Sequence, residues 1–403
     1  MANTYRELLA VPGARIFVAA AFVGRMSMSM VGIGIVLLVS AVTGSYGTAG
    51  AVSATYALAF AAAAPIVGRL TDRYGQGRVL TPLVLANCLS MAALILCALL
   101  HAPTWALFPA AAASGMTSPS LGAMVRARWS HVLRTDAATH RRLHAAFSFE
   151  SVVDEVIFVA GPMIVTLLAT AVHPAAGVAV ASLLTLTGCL ALAVQRRTEP
   201  PPRPRRPGER GSAIAVPGVR AIWVVFLLLG AVFGSIEVCV LAFTEEQGHQ
   251  VLAGPLLGLL ALGSGTTALW YGARHWKTPL HRRFRIGLLL LVLGLVPLAL
   301  ITNLHLLMAL IFFSGIAISP TIIPAYGLVE RMVPDHQLTE GLTWMATAVG
   351  IGIATGAFIA GHLVDTYGSR TAFLFPLGAG LLAAVAGWRA RLDESEPESE
   401  STS

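Results

Sequence analysis

Apolar stretches of about twenty residues, enough to cross the hydrocarbon of a bilayer as a helix, recur along almost the whole chain, separated by short polar joints. The pattern predicts twelve spans, at 15–41, 49–70, 79–100, 104–125, 143–171, 175–194, 219–243, 251–271, 284–302, 305–329, 338–362 and 371–388. The joints alternate in charge. Arg69, Arg73 and Arg78 follow the second span, Arg126 to Arg142 the fourth, Arg196 to Arg210 the sixth, Arg274 to Arg285 the eighth, Arg331 the tenth, and Arg389 and Arg391 the last. The intervening joints "GSYGTAG", "HAPT", "VHPAA", "FTEEQGHQ" and "TNLH" hold neither Arg nor Lys, and Arg370 is the exception. Basic joints stay on the cytoplasmic side, so both termini are expected there, which requires an even number of spans.

Composition sharpens this picture. Of 403 residues, 56% are hydrophobic and only 12% charged, against about 25% charged in soluble domains. A water-soluble chain of this size would need a polar surface that these residues cannot supply, so a multi-pass protein of a bacterial cytoplasmic membrane is expected, with the lipid bilayer as its partner. The net charge of +7 sits in the topogenic clusters and does not point to nucleic acid. Cys88, Cys97, Cys189 and Cys239 are scattered through apolar runs without disulfide or ligand spacing, and read as packing residues. No cleavable signal peptide is evident in "MANTYRELLAVPGARIFVAAAFVGRM". Neither a metal site nor a cofactor is expected.

The chain also divides in two. "QRRTEPPPRPRRPGERGSA" (195–213) is rich in Pro and Arg and predicts an unpacked cytoplasmic linker. Across it "VPGARI" (11–16) returns as "VPGVRAI" (216–222), and "SGMTSPSLGA" (114–123) returns as "SGIAISPTIIPA" (314–325), each pair at the same place in its half. Two matches in register indicate a duplicated six-span unit. The expected division is a bundle over 1–194, a linker over 195–218, a second bundle over 219–392 and a disordered acidic tail over 393–403.

Between the second and third spans lies "GRLTDRYGQGRVL" (68–80). It resembles the loop signature of the major facilitator superfamily, G-x-L-x-D-R-x-G followed by basic residues, with Gly68, Leu70, Asp72, Arg73 and Gly75 matching. The expected basic pair falls on Gln76 and Gly77, and Arg78 comes one place late. The resemblance implies an all-α membrane protein, with twelve transmembrane helices in two pseudo-symmetric six-helix bundles. It also implies a cytoplasmic gating role for Gly68, Asp72, Arg73, Gly75 and Arg78, in which Asp72 accepts from Arg73 or Arg78. "GHLVDTYGSR" (361–370) is a look-alike on the outer side and reads as a turn.

Candidate chemistry lies in the ionisable residues within spans, each costing on the order of 2.5–3.5 kcal/mol at mid-bilayer. Glu150, Asp154 and Glu155 interrupt "FSFESVVDEVIFVAGP" in the fifth span. Glu150 and Asp154, four apart, share a helix face, and Glu155 is turned by about 100° from Asp154. At matching depth, roughly 15 Å along the first span, stands Arg25. Pairing of Arg25 with Asp154 or Glu155 is expected, with Glu150 meeting Arg126, Arg128 or the Asp72 loop. One cation facing three acids would leave a carboxyl protonated. Two readings fit: a salt bridge that orients helices, or a proton site.

Glu237, in "FGSIEVCVL" of the seventh span, has no cation at its depth. It reads as a proton carrier, or as an acid reaching the outer interface beside Glu245 and Glu246. Gly161-Pro162 resembles the Gly-Pro of drug:proton antiporters without the rest of that signature. Pro119, Pro320 and Pro324 are candidates for bending the fourth and tenth spans. Met26, Met28 and Met30 could line a pocket or pack. Together these features point to a monomeric secondary transporter, rocking about a midplane site and exporting a small, mostly apolar organic molecule with the proton gradient as energy source. An importer or uniporter of a metabolite is the alternative, and a non-transporting sensor or an enzyme fits less well.

Overall fold

The structure is a computed structural model and describes all residues except 1, 45, 134–138, 203–210, 250–251, 275, 302 and 391–403. The expected acidic tail therefore lies outside the described residues. Sixteen α-helices and short 3-10 turns make up the described chain. They are α1 (Ala2–Ala10), α2 (Ala14–Thr43), α3 (Tyr46–Tyr74), α4 (Gln76–Leu99), α5 (Leu107–Met116), α6 (Leu121–Leu133), α7 (Thr139–Ala171) and α8 (Ala176–Val194) in the first half. The second half has α9 (Pro217–Glu246), α10 (Ala253–Ala273), α11 (Leu280–Ala299), α12 (Leu304–Ile316), α13 (Ile318–Met332), α14 (Leu338–Tyr367), α15 (Ser369–Ala372) and α16 (Leu374–Arg389).

Every expected span coincides with a helix or an interrupted helix, and ten helical passages among the described residues, of which Leu304–Met332 and Ser369–Arg389 each run over two adjoining helices, are long and apolar enough to cross a membrane. The two others have physical reasons to fall short. The fourth span is broken between α5 and α6 at residues 117–120, where Pro119 cannot continue the hydrogen-bond ladder. The ninth, α11, carries Arg282, Arg283 and Arg285 in its first two turns. The tenth span is broken more gently, with only Ala317 between α12 and α13. Pro320 falls in the first turn of α13, where its missing N–H has no helical partner to lose, and Pro324 lies inside it.

Contacts divide the chain into two compact units, Met1–Arg205 and Arg206–Ser403. Within the first, α2 packs on α7 and α8, α3 on α5, and α4 on α5 and α8. Within the second, α9 packs on α14 and α16, α10 on α12, and α11 on α12, α13 and α16. Counted by span, the same neighbours recur in both, as duplication requires.

The repeated Ser-Gly of the fourth and tenth spans has a packing cause. A Cβ on Gly115 would stand 2.2 Å from the Tyr56 carbonyl of α3, and one on Gly315 would stand 2.0 Å from the Leu260 carbonyl of α10. Only glycine lets these backbones approach so closely. Each contact carries a polar tie: Tyr56 Oη and Ser118 Oγ are 2.9 Å apart in the first unit, and Ser264 Oγ and Ser319 Oγ are 2.9 Å apart in the second. The α9–α14 seam uses the same device, with Gly230 and Gly234 facing Gly352 and Gly356 across backbone contacts.

The linker differs from expectation at its start. Residues 195–202 are described, with Thr198 buried and Gln195, Glu199 and Pro200 half-buried. The tie is Arg128, 0% exposed. Its Nε donates to Gln76 Oε1 at 2.6 Å, Nη1 to Gln195 O at 2.8 Å and Thr198 Oγ1 at 3.0 Å, and Nη2 to Leu192 O at 2.9 Å. A Pro/Arg-rich composition argues against an element with its own core, but not against a strand of chain clasped by one guanidinium at the open carbonyls of a helix end.

Candidate functional site

Three helices of the first unit bring its buried charges together. Helices α2 and α7 run parallel, as the successive contacts Arg25–Glu150, Ser29–Gly161 and Gly34–Val165 show. Gly161 sets their spacing, because a Cβ there would lie 1.9 Å from Ser29 Oγ. The Ser29 hydroxyl uses the gap to donate to the Ile157 carbonyl at 2.8 Å. The Gly of the Gly161-Pro162 pair thus serves close helix approach, while Pro162 stays inside an unbroken α7.

Arg25 is 2% exposed and lies between two carboxylates, its Nη1 donating to Glu150 and its Nη2 to Asp154. Helix α6 closes the other side. Arg126 Nη2 donates to Asp154 Oδ2 at 2.8 Å, and Trp129 Nε1 donates to Glu150 Oε1 at 2.8 Å. Trp129 is itself buried, edge-on against Phe17 of α2 at 4.8 Å. Glu150 is 1% exposed and Asp154 24%, so the network is sealed at Glu150 and opens only at Asp154.

This arrangement differs from expectation in three ways. Arg25 pairs with both Glu150 and Asp154, because residues four apart lie one above the other on α7 and one guanidinium spans them. Arg126 meets Asp154 rather than Glu150, whose remaining oxygen goes to Trp129. Arg128 turns away to the α8 end and the linker. Two guanidiniums therefore face two carboxylates, and the burial of these acids does not call for a proton. The fourth span was expected to end at residue 125, which put Arg126 and Arg128 in a basic joint. Instead α6 continues to Leu133 and buries both.

Glu155 is half-buried on the neighbouring face of α7. Met26 and Met30 are buried in the apolar core of the unit, while Met28 is exposed. The loop residues that match the superfamily signature form a tight junction. Gly75, at φ 92° and ψ 152°, joins α3 to α4, in a region that residues with a Cβ rarely adopt. Gly77 N–H donates to Glu199 Oε1 at 2.9 Å. Gly68 is buried, Asp72 half-buried, and Arg73 and Arg78 exposed, with the Arg73 guanidinium 5.0 Å over the Tyr74 ring. Gln76 and Gly77, which replace the family's basic pair, hold Arg128 and Glu199.

The look-alike at 361–370 is the same turn. Gly368, at φ 80° and ψ 162°, joins α14 to α15. Ser369 N–H donates to Glu246 Oε1 at 2.9 Å, and the Ser369 hydroxyl donates to the other oxygen. Glu246 thus caps a helix while remaining exposed. Glu237, on α9, is exposed, and has no hydrogen-bond or ion-pair partner among the described residues. Sequence reasoning missed Trp129, Glu199, Ser29 and the burial of Arg128. Only Trp129 carried a signal: Arg126 and Trp129 are spaced i, i+3, matching the i, i+4 of Glu150 and Asp154 on an antiparallel neighbour.

Known structures share this architecture. The human organic anion transporter MFSD10 (TETRAN) superposes with a TM-score of 0.73 at 16% identity, covering 93% of this chain and 99% of that one. A bacterial homologue of the iron transporter ferroportin, in its outward-facing state, gives 0.73 at 16% identity, covering 93% and 98%. An auto-inhibited peptide transporter of the POT family gives 0.62 at 12% identity, covering 95% and 98%. At these identities the likeness is one of fold. Comparison with curated protein sequences gives no match. The family model described as Major Facilitator Superfamily matches residues 17–306 and 281–403. With twelve helical passages in two like units and a family match over nearly the whole length, the chain belongs to the Major Facilitator Superfamily and is a membrane transporter, not an enzyme.

Proposed function

We propose that this transporter exports a small, mostly apolar organic molecule in exchange for protons by alternating access, with Glu237 as the group that takes up and gives up the proton. The contrast between two kinds of acid carries the reading. Glu150 and Asp154 are neutralised by Arg25 and Arg126, while Glu237 stands exposed with no partner among the described residues. A lone carboxylate at membrane depth is tolerated when it faces water or holds a proton, and alternating between those conditions is what coupling requires. The gating set Gly68, Asp72, Arg73, Gly75 and Arg78 would act at the cytoplasmic face, with Pro119 in the break of the fourth span, and Pro320 and Pro324 within α13 just after the break of the tenth, accommodating rocking. The expected setting is a bacterial cytoplasmic membrane, with both termini inside and the chain as a monomer.

An apolar cargo is supported by the scarcity of polar side chains along α9 and by the Gly161-Pro162 likeness to antiporters. The balanced charges of the first unit favour one other reading, a uniporter or importer of a metabolite that ignores pH. Purified protein in vesicles under an imposed pH gradient, screened with lipophilic cations, neutral antibiotics and sugars, separates the two. Proton movement evoked by one apolar class supports exchange, and substrate flux indifferent to the gradient overturns it.

A further inference from the structure

The junction between α10 and α11 concentrates basic and aromatic side chains that nothing in the transport reading uses. From Tyr271 to Arg285 the sequence "YGARHWKTPLHRRFR" carries five Arg or Lys residues and no acid. Two of these cations are consumed internally. Arg283 is buried, donates to Tyr271 Oη at 3.0 Å and lies 5.5 Å over the Trp276 ring. Arg285 donates to the Ala390 carbonyl at 3.1 Å, at the end of α16, and lies 5.7 Å over Trp388.

Three cations remain exposed: Arg274, Lys277 and Arg282. None has a hydrogen-bond or ion-pair partner among the described residues. Arg274 is nevertheless positioned, its guanidinium 5.1 Å over Trp270 and 5.4 Å over Trp276. Trp276 is fixed in turn, donating from Nε1 to the Tyr271 carbonyl at 2.9 Å and stacking on that ring at 4.6 Å. Five like charges within fifteen residues, with no acid among them, make this stretch attractive to an anion from outside it.

An apolar track leads away from the cluster. On α11, Ile286, Leu289, Leu290 and Leu293 are 46%, 45%, 44% and 64% exposed. They follow Arg282 at helical spacing, so they lie on its face. Exposed cations at the ends of α10 and α11, indoles beside Arg274 and an apolar stripe on the Arg282 face of α11 match a phosphodiester headgroup with its acyl chain, the chemistry that basic pockets between membrane helices recognise.

We propose that this junction is a binding site for an anionic glycerophospholipid. Arg274, Lys277 and Arg282 hold the phosphate, Trp270 and Trp276 position Arg274, and the Ile286–Leu293 stripe of α11 carries an acyl chain. The inference is independent of the cargo and of proton coupling.

Native mass spectrometry of the delipidated full chain, titrated with phosphatidylglycerol, phosphatidylcholine or inorganic phosphate, tests it. The expected result is saturable phosphatidylglycerol binding about tenfold or more tighter than phosphatidylcholine. That preference should be lost in Arg274→Gln/Lys277→Gln/Arg282→Gln, and kept in Arg274→Lys/Lys277→Arg/Arg282→Lys and in Arg69→Gln/Arg73→Gln/Arg78→Gln. Equal binding of the two lipids by the unmodified protein overturns the proposal without reference to any variant. So does an undiminished preference in the triple Gln protein, or displacement of the lipid by millimolar inorganic phosphate.

Discussion

Removing Arg25 tests the charge network of the first unit most sharply. In Arg25→Met, Glu150 keeps only the Trp129 N–H, Asp154 keeps only Arg126, and the balance of two against two becomes one against two. Breaking a buried pair from one side costs about 3–5 kcal/mol, most of it the penalty of the stranded charge. Arg25 and Glu150 are 2% and 1% exposed, so little solvent screening reduces that figure. For a unit of the size of Met1–Arg205, each kcal/mol moves the midpoint by about 2–4 °C, and the expected loss is about 6–20 °C. Arg25→Met/Glu150→Gln restores the balance: the amide oxygen still accepts from Trp129, and Asp154 still holds Arg126. Thermal unfolding in detergent, followed by intrinsic fluorescence at one scan rate, measures both. The double variant should recover at least half of the loss, a coupling of about 2–3 kcal/mol. Losses of Arg25→Met and Glu150→Gln that simply add in the double variant would refute the pairing.

Other consequences are more local. Trp129→Phe keeps the ring against Phe17 but leaves Glu150 Oε1 without its donor, and should cost about 1–3 kcal/mol in the same unfolding assay. Gly115→Val and Gly315→Val each force a side chain into a facing carbonyl. Both should lower the yield of monodisperse protein and its midpoint by about the same amount, since overpacking costs about 1–3 kcal/mol or more. Arg128→Lys cannot reproduce the fork that holds Gln76, Gln195, Thr198 and Leu192. Trypsin should then cut after Arg196 and Arg197 at least about tenfold faster, read by mass spectrometry.

Much of the fold was legible because hydrocarbon imposes a simple rule on every span. The twelve apolar runs and the returning "SG…P" of the fourth and tenth spans needed only length and pattern. The site was partly legible for the same reason. Arg25 and the Glu150/Asp154 pair are polar positions that an apolar helix can keep only by bringing them together, and equal depth on parallel helices says where. What stayed hidden lies at the helix ends, where polar residues are cheap and composition discriminates poorly. Arg126 and Arg128 look like any topogenic arginines until α6 is seen to run on to Leu133. Glu199 sits in a Pro-rich stretch that gives no sign of reaching the Gly77 N–H. Gly368 repeats the Gly75 turn on the other side, but the carboxylate that completes it comes from α9, more than a hundred residues earlier.

Coupling is tested most directly by comparing Glu237→Gln with Asp154→Asn in vesicles, once a transported compound is in hand. Two fluxes are measured for each variant: exchange of labelled for unlabelled compound at equal pH, and accumulation driven by a pH gradient. Glu237→Gln should keep the exchange and lose the accumulation. The reverse pattern, or gradient-driven accumulation by Glu237→Gln at the unmodified rate, would contradict Glu237 as the proton-carrying group.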